Sequence, residues 1–189
     1  MANKKISELP YVGSTGFTSV DLIPLVSYYT EVTGTTSNTY LSDLINYGYW
    51  TSGSTGLYSI KANNDSGLDS TGDYSVAEGY GTTASGINSH AEGAGTTASG
   101  DTSHAEGAGT IASGTYSHAE GRSSIASGIT SHAEGNSTIA GGDYSHAEGS
   151  QTTASGELSH AEGGLTQASG QAAHAEGRGS IASGDYSHA

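Results

Sequence analysis

The chain has 189 residues, no cysteine, 30 glycines and a formal net charge of -14. The absence of cysteine excludes disulfides and thiolate metal sites, and five Lys/Arg against 19 Asp/Glu argue against nucleic acid or an anionic membrane as partner. Leu, Ile, Val and Phe make up only about 13% of the residues, below the roughly 20% at which disorder becomes the default expectation, so any order must come from repetition.

Residues 1–50 carry most of the bulky apolar side chains and read as a separate β-rich module. Leu22, Ile23, Leu25 and Val26 lie in a strand-forming run, which Pro24 confines to an edge or a strand start. A turn at Gly34–Asn38 leads to a returning strand at Thr39–Leu41, and Ser42 or Asp43 could cap a short helix with Leu44 and Ile45. About fifty residues of this kind need oligomerisation or a staple. The start has two lysines but no apolar h-region after them, so it does not read as a secretory signal, and no run reaches the roughly 18 apolar residues of a membrane span.

Residues 51–58 read as a linker and 59–74 as a degenerate capping rung. From residue 75 to 189 the chain repeats S-x-A-x-G, a variable pair, T-x-A-S-G and another variable pair, with a period of 14 residues. His90, His104, His118, His132, His146, His160, His174 and His188 keep that spacing, and each of the first seven is followed two residues later by Glu. Val76 takes the histidine position in the first regular copy. Both conserved pentads alternate in period two, the signature of a two-faced strand. The small face, with Ser103, Ala105, Gly107, Thr110, Ala112 and Gly114 in one copy, is expected to line a narrow interior. Its alanine columns are Ala91, Ala98, Ala105, Ala112, Ala119, Ala126, Ala133 and Ala140. Each repeat is then one coil of a β-solenoid, with the variable pairs at the corners and glycines supplying backbone angles closed to other residues. At roughly 4.8 Å per rung, about eight rungs make a rod on the order of 40 Å long. Burying methyl groups at about 0.8 kcal/mol each does little against at least about 1 kcal/mol per residue of backbone ordering, so neighbouring chains are expected to complete the structure. The roll is expected to continue, or to be capped, beyond residue 189.

The S-x-A-x-G…A-S-G repeat over residues 75–189 resembles the YadA-like head repeat of trimeric autotransporter adhesins. The resemblance implies an all-β fold, a left-handed parallel β-roll, and a homotrimer in which the first strand of each repeat faces the threefold axis. Val and Ile are common at the x positions of that family, where this chain has His and Glu. A second resemblance covers the start of the chain. Lys4-Lys5-Ile6-Ser7-Glu8-Leu9-Pro10, then Asp21-Leu22-Ile23-Pro24-Leu25-Val26 and Tyr40-Leu41-Ser42-Asp43-Leu44-Ile45, are similar to the N-termini of phage tail-fibre and virion appendage proteins. It implies that Ile6, Leu9, Leu22, Ile23, Pro24, Leu25, Val26, Leu41, Leu44 and Ile45 attach a trimeric fibre to a capsid, baseplate or tail protein.

The H-x-E pairs invite a metal-binding or catalytic reading. On a strand the two side chains share a face, so His90, His104, His118, His132, His146, His160 and His174 are candidate ligands for zinc or nickel. The plainer reading is an inter-chain hydrogen-bonded ladder that sets the register of the trimer, with His104, Glu106, His118, Glu120, His132, Glu134, His146 and Glu148 at the interface. A catalytic constellation is normally single rather than copied in every repeat, so no enzyme activity and no cofactor are expected. The carboxylates are expected to raise the histidine pKa values, making the assembly most stable in mild acid. Paired threonines such as Thr82-Thr83 and Thr96-Thr97 suggest an ice-binding array, which Ile111, Ile125, Ile139, Gln167 and Ile181 interrupt. Tyrosines at corners, among them Tyr74, Tyr116, Tyr144 and Tyr186, read as covers over the rung edges or as a receptor-contacting surface. The sequence thus reads as a trimeric fibre or whisker of a phage-like virion, made in a host cytoplasm and serving host attachment, with a distal region as the candidate receptor-binding part. The alternative is a fragment of a bacterial trimeric surface adhesin.

Overall fold

The computed structural model describes residues 50–62 and 69–189, and every regular element among them is a β-strand. The attachment residues Ile6 to Ile45 named above lie outside the described residues. The described residues begin with β1 (Trp50–Ser52), β2 (Ile60–Ala62) and β3 (Asp69–Ser70). Thereafter long and short strands alternate. The long ones are β4 (Val76–Tyr80), β6 (His90–Ala94), β8 (His104–Ala108), β10 (His118–Arg122), β12 (His132–Asn136), β14 (His146–Ser150), β16 (His160–Gly164) and the shorter β18 (His174–Ala175). Between them lie the two-residue strands β5 (Thr83–Ala84), β7 (Thr97–Ala98), β9 (Ile111–Ala112), β11 (Ile125–Ala126), β13 (Ile139–Ala140), β15 (Thr153–Ala154), β17 (Gln167–Ala168) and β19 (Ile181–Ala182).

The two sets form two sheets, one of ten strands and one of nine. All pairings are parallel and in register except the first, so each residue sits on its equivalent one rung away: His118 on His132, Ala119 on Ala133, Ile125 on Ile139. The chain is therefore a parallel β-solenoid with one 14-residue repeat per coil. Its first coil differs. Ile60 pairs with Val76 while Asp69 pairs with Thr83, so two extra residues fall between β2 and β3. Residues 51–58, expected as a linker, hold the rest of β1 and the turn into β2, on which β1 folds back antiparallel. That hairpin covers the first edge of the long-strand sheet, a place where unpaired backbone groups invite unwanted pairing.

Alternation places the alanines inside. Both alanine columns, from Ala77 and Ala84 through Ala161 and Ala168, are fully buried. Buried serines and threonines complete the lining, and several hydroxyls are satisfied by nearby backbone: Ser145 Oγ donates to the Gly142 carbonyl and Ser159 Oγ to the Gly156 carbonyl, each at 2.6 Å. Gly107 departs from the expected inward face. It is exposed at φ +104°, because the positive φ turns the chain out of strict alternation. A side chain there would overlap the Gly121 carbonyl of the next rung. The second residue of each corner pair takes left-handed angles whether or not it is glycine: Gly95 and Gly109 at φ 66°, Ser137 at 59°, Leu165 at 58°, Tyr116 at 59°. Its N–H donates back to the preceding rung, as from Ser123 to the Ala108 carbonyl at 2.9 Å.

Candidate functional site: the histidine–glutamate face

Because alanine takes the inward position in each long strand, His and Glu on either side of it point out of the same face. Parallel in-register pairing then stacks them. Consecutive imidazoles from His90 to His188 lie 4.8–4.9 Å apart between ring centres, with interplanar angles of 0–11°. Each ring leans towards the glutamate of the preceding rung. His90 donates to Glu78 and His132 to Glu120, both at 3.3 Å. His104–Glu92 (3.4 Å), His118–Glu106 (3.3 Å), His160–Glu148 (3.7 Å) and His174–Glu162 (3.6 Å) are close ion-pair contacts. Within one chain these contacts run along most of the ladder.

The ladder is half-buried, with side chains of the inner rungs 33–37% exposed. Burial is the first cause that holds His104 and His146 below the ordinary value of 6.5. Neighbouring imidazoles add to it: His118 and His90 around His104, His132 and His160 around His146. The nearest carboxylates, Glu106 and Glu92 for His104 and Glu148 and Glu134 for His146, pull the other way and are outweighed. The expectation of raised histidine pKa values is therefore reversed at these two positions. A proton on one ring meets two like rings at stacking distance, and desolvation penalises the charged form. The Nε2 atoms of His104, His118, His146, His160 and His174 are buried without a hydrogen-bond partner.

The family model for the YadA head domain repeat (2 copies) matches residues 70–95, 91–117, 119–145 and 168–187. These segments together cover just over half of the chain. The chain belongs to the YadA head-repeat family. No curated protein matches it.

Within this YadA-type head repeat the side chains able to ligate a metal fall into recurring sets. His90, Glu92 and His104 bring one ligand atom each within 4.8 Å of one another, as do His118, Glu120 and His132, His174, Glu176 and His188, and Glu134, His146 and Glu148. An open groove beside this face is lined by Glu148, Glu162 and Glu176 with Gly149, Gly163 and Gly177. Among the described residues the opposite sheet carries no comparable array of His and Glu. The first threonine of each pair, as in Thr82 and Thr96, is buried, leaving Thr83, Thr97, Ile111, Ile125, Ile139, Thr153, Gln167 and Ile181 to face outward. The corner tyrosines Tyr74, Tyr116, Tyr144 and Tyr186 are 53–77% exposed, and Tyr58 stacks on Tyr74 at 5.3 Å.

The corner aspartates, which in sequence read only as part of solvated bends, make a recurring hydrogen bond. Asp73, Asp101, Asp143 and Asp185, each the first residue of a corner pair, accept through Oδ1 from the backbone N–H of the equivalent residue one coil earlier: Leu57 (2.7 Å), Ile87 (3.0 Å), Ile129 (2.8 Å) and Gln171 (3.0 Å). The signal was an aspartate recurring at a turn, where its short side chain bonds nearby backbone.

Proposed function

We propose that this chain is the head or stalk of a homotrimeric surface fibre of the bacterial adhesin type, and that its histidine–glutamate faces meet at the seam between the three chains. The carrying observation is the continuous, half-buried His/Glu ladder running the length of a roll whose interior is only alanine, serine, threonine and glycine. Such a core contributes little burial per residue, and covering the ladder with two further chains would supply the rest. His104, Glu106, His118, Glu120, His132, Glu134, His146 and Glu148 then fix the register between chains. The role is mechanical and non-enzymatic: coil number sets length, and in-register pairing makes the rod stiff. Corner tyrosines on the outer surface are the places where such a head would touch a receptor.

A second reading, a fibre of a phage-like virion, is favoured by the similarity of Lys4–Pro10, Asp21–Val26 and Tyr40–Ile45 to virion appendage attachment segments. In it residues 1–50 bind a capsid, baseplate or tail protein. Fractionation with an antibody to the chain separates the two. The adhesin reading expects the protein with the outer surface of bacterial cells, and co-sedimentation with particles alone would replace it by the virion reading.

A further inference from the structure

We propose that the His/Glu face binds a series of divalent transition-metal ions of the imidazole-preferring class, such as Zn²⁺, in sets of His and Glu that recur along the ladder. Each set that closes within a single chain offers borderline nitrogen ligands together with carboxylate oxygen, the donor mixture that suits zinc, nickel or copper rather than calcium or magnesium. In the set His118, Glu120 and His132 the ligand atoms already lie within 4.8 Å of one another. Glu106, 3.3 Å from His118 Nε2, stands ready as a fourth ligand. Tetrahedral zinc with bonds of about 2.0–2.2 Å holds its donors roughly 3.3–3.6 Å apart, so donors as far apart as 4.8 Å must lean together by about an ångström. The terminal torsion of histidine is broad enough to allow that lean without moving the backbone.

The free ring nitrogens point the same way. Nε2 of His104, His118, His146, His160 and His174 is buried without a hydrogen bond, so an ion there displaces at most an ion-pair contact such as His118–Glu106 at 3.3 Å, whereas at His132 it replaces the hydrogen bond to Glu120. Neighbouring steps share residues, as His104 belongs both with His90 and with His118. Four sets share nothing: His90/Glu92/His104, His118/Glu120/His132, Glu134/His146/Glu148 and His174/Glu176/His188. The ladder therefore takes up to about four ions along its eight histidine rungs. This does not rest on the trimer seam, because each set is complete in one chain.

Native mass spectrometry and calorimetric titration of the full chain, free of any histidine tag, with ZnCl₂ and with CaCl₂ test this. The expected result is about four Zn²⁺ per chain at concentrations up to roughly 100 µM, no Ca²⁺, and a drop to about three Zn²⁺ in the His118→Asn/His132→Asn double variant. Zinc uptake that ignores the double substitution, equal uptake of Ca²⁺, or no uptake of Zn²⁺ overturns the proposal. Should the double variant fail to fold, Co²⁺ added to the unaltered chain decides. Visible d–d bands that histidine modification by diethyl pyrocarbonate abolishes support it, and absence of bands overturns it. A trimer that binds no metal leaves the proposed fibre role standing while removing this one.

Discussion

Two adjacent glycines in one coil should respond to the same substitution with opposite signs. Gly142 is buried, and a Cβ placed on it would overlap the Gly156 carbonyl oxygen, lie 2.5 Å from that carbonyl carbon and come within 3.0 Å of the Ser155 oxygen. The obstructing carbonyl cannot step aside cheaply, because it accepts from Ser159 N at 3.2 Å and from Ser159 Oγ at 2.6 Å. Overpacking costs about 1–3 kcal/mol, and loosening each of these hydrogen bonds adds about 1 kcal/mol. Gly142→Ala should therefore cost about 3 kcal/mol, which for a chain of this size lowers Tm by roughly 6–12 °C. Gly141, by contrast, is exposed and has only ordinary contacts, with Ala154 O and Ser127 Oγ at 3.9 Å and an Ile139 methyl at 4.0 Å. Neither glycine has a left-handed φ, and serine occupies the Gly141 position in most other copies. Gly141→Ala should stabilise by about 0.4–1 kcal/mol, by reducing the freedom of the unfolded chain. Thermal and urea unfolding followed by circular dichroism, with the two variants side by side, reads the difference. Equal effects from both substitutions would refute the close stacking of coils on which the fold rests.

Three further outcomes follow from named contacts. The lowered pKa values of His104 and His146 mean that the unfolded chain binds more protons than the folded one below pH 6.5. Their contribution should be fully present above pH 6.5 and lost as the pH falls below it, and a urea midpoint that rises on acidification from pH 7 to 5.5 would contradict this. Leu165→Gly should raise stability by about 0.5 kcal/mol, since leucine at φ 58° pays the left-handed penalty and glycine escapes it at some cost in unfolded-state entropy; chemical denaturation measures it. Asp143→Ala should cost about 1 kcal/mol by leaving the Ile129 N–H without its 2.8 Å acceptor. Asp143→Asn, which keeps an acceptor oxygen, should cost less in the same assay.

Most of the architecture was legible because a single period carries it. Fourteen residues between histidines, with alternation inside each pentad, suffice for a parallel roll with Ala105 inside and His104 and Glu106 outside. What escaped depends on angles and distances. Gly107 belongs to the alternating pattern on paper, yet its φ of +104° takes it to the surface. Tyr116, Ser137 and Leu165 adopt left-handed angles that a search for glycines passes over, because their corner amides gain hydrogen bonds to the rung before. The sign of the histidine shift was misjudged for a similar reason. Glu106 and Glu92 do favour the charged form of His104, but burial and rings stacked at 4.8–4.9 Å on both sides outweigh them, and that balance has no signature in the order of residues.

The central claim is a fibre built from three of these chains, and the native mass of the assembled protein tests it most directly. Native mass spectrometry or sedimentation equilibrium at neutral pH should give three times the chain mass of 18.9 kDa, with no dissociation on dilution to roughly 100 nM, as an obligate assembly requires. A folded species at 18.9 kDa, with the same circular dichroism and the same melting temperature at every concentration, would contradict it.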